Sequence, residues 1–386
     1  MKVNSLLVML AIIQVISLGN ALACHGKETP EDKTGKVEKG TREDLKDKIT
    51  YFDGFNFTIK GKYHQEKNYQ RLPAKFEGKV RPVVWDLSTA SSGISVSFRT
   101  NSPEIRAKWE LLNVFKPRNM TQISANGLDL YCHVNGKWQY VGSGIPRNEI
   151  ENEAMLISNL DTTYKEFRLH LPLYNGIRDI EIGIAEGYTI EKGNVEYENP
   201  KPVVFYGTSI TQGASASRPG MAYPSILSRR LNMETINLGF SGNGRFEEAV
   251  GQALCEIDAA LFVLDCTPNS SPEIIRNNAL KLILQVKKCR PDTPILLVES
   301  IIRENSFLQV KGTGSTDHIR AQNRALMETF QKAKEVGVKD IYYLKTDGLI
   351  GSDHEATVDG SHLSDLGMTR IAKKIGGEIS EILKLK

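Results

Sequence analysis

Net charge is nearly absent: 49 Lys and Arg against 46 Asp and Glu leave only +3 over 386 residues. That excludes a nucleic-acid groove, because holding a phosphate backbone takes clustered cations on one face. Cysteine is scarce as well, five in all. No two stand in a C-x-x-C pair, which argues against a zinc or dithiol site. The absence of G-x-x-x-x-G-K-[ST] excludes a P-loop. Long apolar runs are missing too, since Leu6–Leu18 is too short to span a bilayer comfortably. What remains is a chain with 40% apolar and 25% charged residues, ordinary for a soluble globular protein and long enough for two domains. All three tryptophans, Trp85, Trp109 and Trp138, fall in the first half, so the halves should differ in architecture.

The opening residues read as an address. Lys2 supplies a positive start, Leu6–Leu18 an apolar stretch, and Ala21-Leu22-Ala23 a small-x-small cleavage pattern, predicting a signal peptide over 1–23. Cys24 follows, and the segment resembles a bacterial lipoprotein signal, with Ala21 where that pattern usually has leucine. The resemblance implies export to the periplasm or cell surface, with membrane attachment only through acyl chains on Cys24. Residues 24–48 carry almost no large apolar side chain and read as a flexible tether. An exported protein could pair some of the other cysteines, Cys132, Cys255, Cys266 and Cys289, of which Cys255 and Cys266 fall within one helix–strand unit. Spacing establishes no bridge, and buried free thiols are the favoured expectation.

From 49 to 198 the pattern is short alternating or β-branched runs between turn residues: Phe55–Lys60, Gly93–Arg99, Ile105–Leu111, Leu128–His133, Trp138–Val141, Glu166–Leu171 and Ile177–Ile184. Asn135-Gly136 sits between two of them as a tight hairpin requires. An antiparallel, jelly-roll-like β-sandwich is expected. After Asn199-Pro200 the pattern changes. Nearly continuous apolar strands (Val203–Tyr206, Thr235–Leu238, Leu261–Asp265, Ile295–Glu299, Ile341–Leu344) alternate with helical segments, which predicts a three-layer, doubly wound α/β domain over 199–386, flavodoxin-like. Right-handed crossovers put every strand's C-terminus on one edge, where open α/β sheets place their chemistry.

The strand ends are therefore the place to look. Gly207-Thr208-Ser209-Ile210-Thr211 follows the first strand: glycine for a tight turn, then a serine exposed before a helix. The general nucleophile elbow G-x-S-x-G is not matched, because Thr211 holds its fifth position. Gly239-Phe240-Ser241-Gly242-Asn243-Gly244 follows the second, its glycines implying close approach or positive φ and a backbone N–H aimed at the same point. A second reading makes Ser241 the nucleophile. Asp265-Cys266-Thr267-Pro268-Asn269 follows the third and offers an asparagine amide. Asp359-Gly360-Ser361-His362 precedes the last helix; a carboxylate there can orient an imidazole that takes a proton from a serine. Asp365 is expected to cap that helix, and His354 is the rival base.

These four segments resemble the blocks of the SGNH (GDSL-like) hydrolases over about residues 201–386, and a β-sandwich ahead of them looks like a bacterial carbohydrate-esterase branch. The resemblance implies Ser209 as nucleophile, Asp359 and His362 as its partners, and Ser209, Gly242 and Asn269 as the oxyanion hole. Thr208 stands where the family name has aspartate, and Asp265-x-x-Pro-Asn269 replaces the usual Gly-x-Asn-Asp. It further implies a serine esterase that removes acetyl groups from a carbohydrate and needs no metal or organic cofactor. A lipase or lysophospholipase is the alternative, against which no long apolar loop is visible near the strand ends. A non-catalytic glycan-binding lipoprotein is another. The sequence leaves the oligomeric state open.

Overall fold

The structure, a computed structural model, describes residues 48–385. The signal peptide read over 1–23, Cys24 and all of the tether before Lys48 lie outside the described residues.

The alternating runs of the first region become two antiparallel sheets. The elements are β1 (Ile49–Asp53), β2 (Thr58–Lys60), α1 (Pro82–Ser88), β3 (Ser95–Thr100), β4 (Ile105–Leu111) and α2 (Gln122–Asn126). Then come β5 (Leu128–Val134), β6 (Lys137–Gly144), β7 (Glu151–Ile157), β8 (Lys165–His170), β9 (Ile177–Ala185) and β10 (Ile190–Lys192). One sheet runs β1-β9-β4-β7; the other runs β10-β3-β8-β5-β6, with β2 also on β3. β4 shows why they stack: Ile105, Ala107, Trp109 and Leu111 alternate inward and meet Phe98, Leu130, Phe167 and Ile182 in one core. Asn135 and Gly136 both take positive φ, 51° and 75°, and close the β5–β6 hairpin as expected.

Several elements differ from expectation. Of Phe55–Lys60 only Thr58–Lys60 is strand, because the Asp53 carboxylate accepts from the Phe55 amide and turns the chain into a short 3-10 helix. β1, β7, β10 and the short helices α1 and α2 went unread; each is too short, or too polar on both faces, to show a period. Leu72, Phe76, Val80 and Val84, between β2 and β3, do not enter the sandwich core but the core of the second region.

That second region holds β11 (Asn199–Gly207), α3 (Ser209–Gln212), α4 (Tyr223–Leu231), β12 (Met233–Gly239), α5 (Glu248–Glu256), β13 (Leu261–Asp265), α6 (Pro272–Cys289), β14 (Ile295–Val298), α7 (Thr316–Glu335), β15 (Ile341–Leu344) and α8 (Asp365–Leu383). Its five strands are all parallel in the order β12-β11-β13-β14-β15, a doubly wound sheet. Successive residues of β11 serve opposite layers. Val204 and Tyr206 pack with α5, α6 and α7, whereas Val203 and Phe205 pack with α4 and α8. A strand covered on both sides has no solvent face, which is why these segments read as unbroken apolar runs.

The thiol expectation holds for Cys132 and Cys266, which are buried and free. It fails for Cys255 and Cys289, which form a disulfide joining the end of α5 to the end of α6, their Cα atoms 5.6 Å apart. A separation of 34 residues gave no sign of that proximity; helix packing creates it.

Candidate active site

Gly207 ends β11, and a Cβ there would meet the Thr211 hydroxyl oxygen at 2.0 Å, so only glycine lets the chain turn this sharply. Thr208 caps α3, its hydroxyl accepting from the Ile210 amide while its own amide donates to Thr211 Oγ1. Ser209 opens α3 with its side chain at the strand edge and is 7% exposed. Behind it, Asp265 at the end of β13 accepts hydrogen bonds from Thr211 Oγ1 (2.8 Å) and the Tyr223 hydroxyl (3.0 Å). Burial pushes this carboxyl up to about 7, which the two donors only partly offset.

His362 comes from the loop before α8. Its Nε2 lies 3.0 Å from Ser209 Oγ, and its Nδ1 lies 2.8 Å from Asp359 Oδ2. Asp359 Oδ1 accepts from the amides of Ser361 (3.1 Å) and His362 (2.8 Å). Partial burial raises the Asp359 carboxyl, but the donors around it outweigh this and hold it well below the usual carboxylate range. Segments 153 residues apart thus form one hydrogen-bonded chain, Ser209–His362–Asp359.

The loop after β12 faces the same edge. Gly242 has φ +70°, and a Cβ built on it meets nothing, so its backbone borders open space. Its neighbours are occupied: Ser241 N donates to Gln212 Oε1, while Asn243 N and Gly244 N donate to Phe240 O. Asn269 closes the 3-10 turn after β13, one strand from Ser209, with its Oδ1 buried and without a partner. Of the rivals, Ser241 is tied by its main chain, its amide donating to Gln212 Oε1 and its carbonyl accepting from Asn243 Nδ2. The ring of His354 lies against Phe307, centroids 5.8 Å apart. Asp365 does not cap α8. Ser364 does, while the Asp365 carboxylate accepts from the Ser217 amide and hydroxyl.

Two features went unread in the sequence. Asn119, in the sandwich loop between β4 and α2, donates from Nδ2 to Asp359 Oδ2 at 2.9 Å and lies 3.4 Å from His362 Nδ1. The loop after β14 carries Phe307, Leu308 and Val310 at 68%, 74% and 92% exposure. It also touches the histidine loop, for Glu304 N donates to Gly360 O. Exposed apolar side chains therefore stand in a loop next to the strand edge, in a run that is short and broken by Gln309 and so gave no long apolar loop in the sequence. The tryptophans divide: Trp109 is core, its Nε1 donating to Asn126 O, whereas Trp138 is half-buried against the Arg168 guanidinium.

Comparison with known proteins follows the same division. Residues 200–380 match the GDSL-like Lipase/Acylhydrolase family, and residues 49–190 match the N-terminus of Esterase_SGNH_hydro-type proteins. A structure described as a GDSL-like lipase from Bacteroides ovatus ATCC 8483 shares 41% identity over 88% of this chain and 99% of its own, with a TM-score of 0.83. The salicylyl-acyltransferase SsfX3 of a tetracycline biosynthetic pathway has the same fold at 16% identity, covering 88% of this chain and 99% of its own (TM-score 0.72). So does a family two carbohydrate esterase from Clostridium thermocellum, solved with cellohexaose, at 15% identity over 77% of this chain and 94% of its own (TM-score 0.54). No curated protein matches the chain. With that identity over nearly all of a relative's length, this chain belongs to the GDSL-like, or SGNH, family of esterases and hydrolases.

Proposed function

We propose that this protein is an exported serine esterase that removes small acyl groups, acetyl foremost, from saccharide esters. The observation that carries the reading is the unbroken chain from Ser209 Oγ through His362 to Asp359. His362 Nε2 takes the hydroxyl proton as Ser209 attacks the ester carbonyl, and Asp359 keeps the other ring nitrogen protonated and steadies the imidazolium. The tetrahedral oxyanion is met by the Ser209 and Gly242 amides and the Asn269 side chain, each such donor worth about 3–4 kcal/mol in the transition state. The alcohol leaves with the proton from His362. Water then adds to the acyl-enzyme with His362 again as base and restores Ser209.

Support for a saccharide is the fold shared with an esterase that holds cellohexaose. Export rests on the leader and Cys24, and the Cys255–Cys289 disulfide suits an oxidising compartment. A second reading, a lipase-type esterase, is favoured by the exposed Phe307, Leu308 and Val310.

One experiment addresses both. Purified wild type is expected to cleave nitrophenyl acetate much faster than the octanoate and to release acetate from acetylated xylan. Ser209→Ala should lose at least about 10⁴-fold in kcat with an unchanged fold. Turnover by Ser209→Ala near the wild-type rate would refute the assignment, and octanoate preferred over acetate would move it to the lipase reading.

A further inference from the structure

Asp359 sits on a surface loop with its side chain 36% exposed, where a carboxylate is free to turn toward water. Four donors hold it instead. Three come from its own loop, the Ser361 amide, the His362 amide and the His362 ring. The fourth, Asn119 Nδ2, comes from the sandwich region, 240 residues away in the chain, and shares Oδ2 with the imidazole. Only the amide nitrogen can face Oδ2, because the amide oxygen would oppose a carboxylate, so the side chain's orientation is set by charge.

Asn119 is itself held. Its carbonyl accepts from Ser215 Oγ at 2.9 Å, and Thr121 Oγ1 donates to Ser217 O. Ser217 is tied in turn to Asp365 at the start of α8. Earlier in the loop, the Asn175 side chain bridges Asn113 in both directions, and Asn126 Nδ2 donates to Phe115 O. The loop from Leu112 to Met120 has no regular structure, yet it is pinned at its start by the Asn175 and Asn126 side chains and at its end by Ser215, just beyond α3.

We infer that Asn119 is a positioning residue for the Ser209–His362–Asp359 chain, so that the β-sandwich region supplies a working part of the active site. The inference rests on the esterase reading. Asn119 is placed to hold the Asp359 carboxylate against the imidazole, and it acts on the chemistry only through Asp359 and the ring.

The test is a double-mutant cycle on the full chain with nitrophenyl acetate. Asn119→Ala is expected to lower kcat by about tenfold to a hundredfold, the range for a hydrogen bond to a charged group, with KM and the thermal midpoint little changed. In an Asp359→Ala background the same substitution should cost at most about twofold, because the route through the carboxylate is gone and only the longer 3.4 Å approach to His362 Nδ1 remains. A general packing role would give the same loss in both backgrounds and overturn the inference. So would wild-type kcat in Asn119→Ala, or a loss confined to KM. Should the alanine variant not fold, Asn119→Leu keeps the volume without the donor and carries the same expectations. The two readings fail separately. Ser209→Ala with full turnover removes the esterase, whereas an inactive Ser209→Ala beside a fully active Asn119→Ala removes only the role of Asn119.

Discussion

The turn that carries Ser209 and the loop that carries His362 meet across 3.0 Å, but they are built in opposite ways. From Gly207 to Gly213 every residue is buried. The turn is clamped by glycine contacts, a threonine cap and the Asp265 carboxylate beneath it. The histidine loop lies half in solvent, with Val358 55% exposed, and gains its shape from hydrogen bonds reaching in from elsewhere. Glu304 accepts from the Ala356 amide at 2.6 Å and from the Thr357 hydroxyl, and Val358 N donates to His362 O. Ser209 is positioned by packing and His362 by a hydrogen-bonded frame. A packed turn responds to changes of volume and charge underneath it. A framed loop responds to the loss of single polar partners.

Three substitutions test this contrast, in falling order of their effect on turnover. Glu304→Ala removes two acceptors from the framed loop and should lower kcat about tenfold, roughly the value of one to two such hydrogen bonds. Turnover at the wild-type rate would show that the loop holds its shape unaided. Asp265→Asn, beneath the packed turn, keeps an acceptor for Thr211 and Tyr223, so turnover at pH 7 should stay within about twofold of wild type. Its effect belongs to stability. Asp265 is pushed from an ordinary 3.8 up to about 7, so between these values the folded chain keeps a proton that the unfolded chain releases. Its contribution therefore declines as pH rises from about 4 to about 7 and is level above. Denaturant unfolding at pH 4.5, 6 and 8 should show that decline reduced in the variant; equal slopes would contradict it. The paired change Cys255→Ser and Cys289→Ser lies remote from both segments. It should leave turnover untouched while lowering stability by about 3–4 kcal/mol for a loop of 34 residues. A fall in kcat would mean that α5 and α6 bear on the site.

What could be read from the sequence was whatever local pattern enforces. The five parallel strands are covered on both faces, so their apolar runs were plain, and their ends led to Ser209, Gly242, Asn269, Asp359 and His362. The glycines after β12 announced themselves because a backbone that approaches Gln212 and Gly207 leaves no room for a side chain. Asn119 could not be found this way. It lies in an irregular loop, and its partner is 240 residues distant. The same holds for the Cys255–Cys289 pair, made neighbours only by the packing of α5 on α6. Leu72, Phe76 and Val84 were read with the sandwich because sequence order placed them there, while their burial lies in the other core.

Those three side chains have company in Arg71. It is 1% exposed, and its guanidinium binds Ala90 O and Leu87 O on one side and the β12 carbonyls of Asn237 and Gly239 on the other. The cut that looks natural at Asn199 therefore passes through shared material. A fragment beginning there would start life with a greasy facet bared beside α5 and with two strand-end carbonyls lacking their cation. Expression trials that treat the hydrolytic half as a module would then be measuring a wounded core.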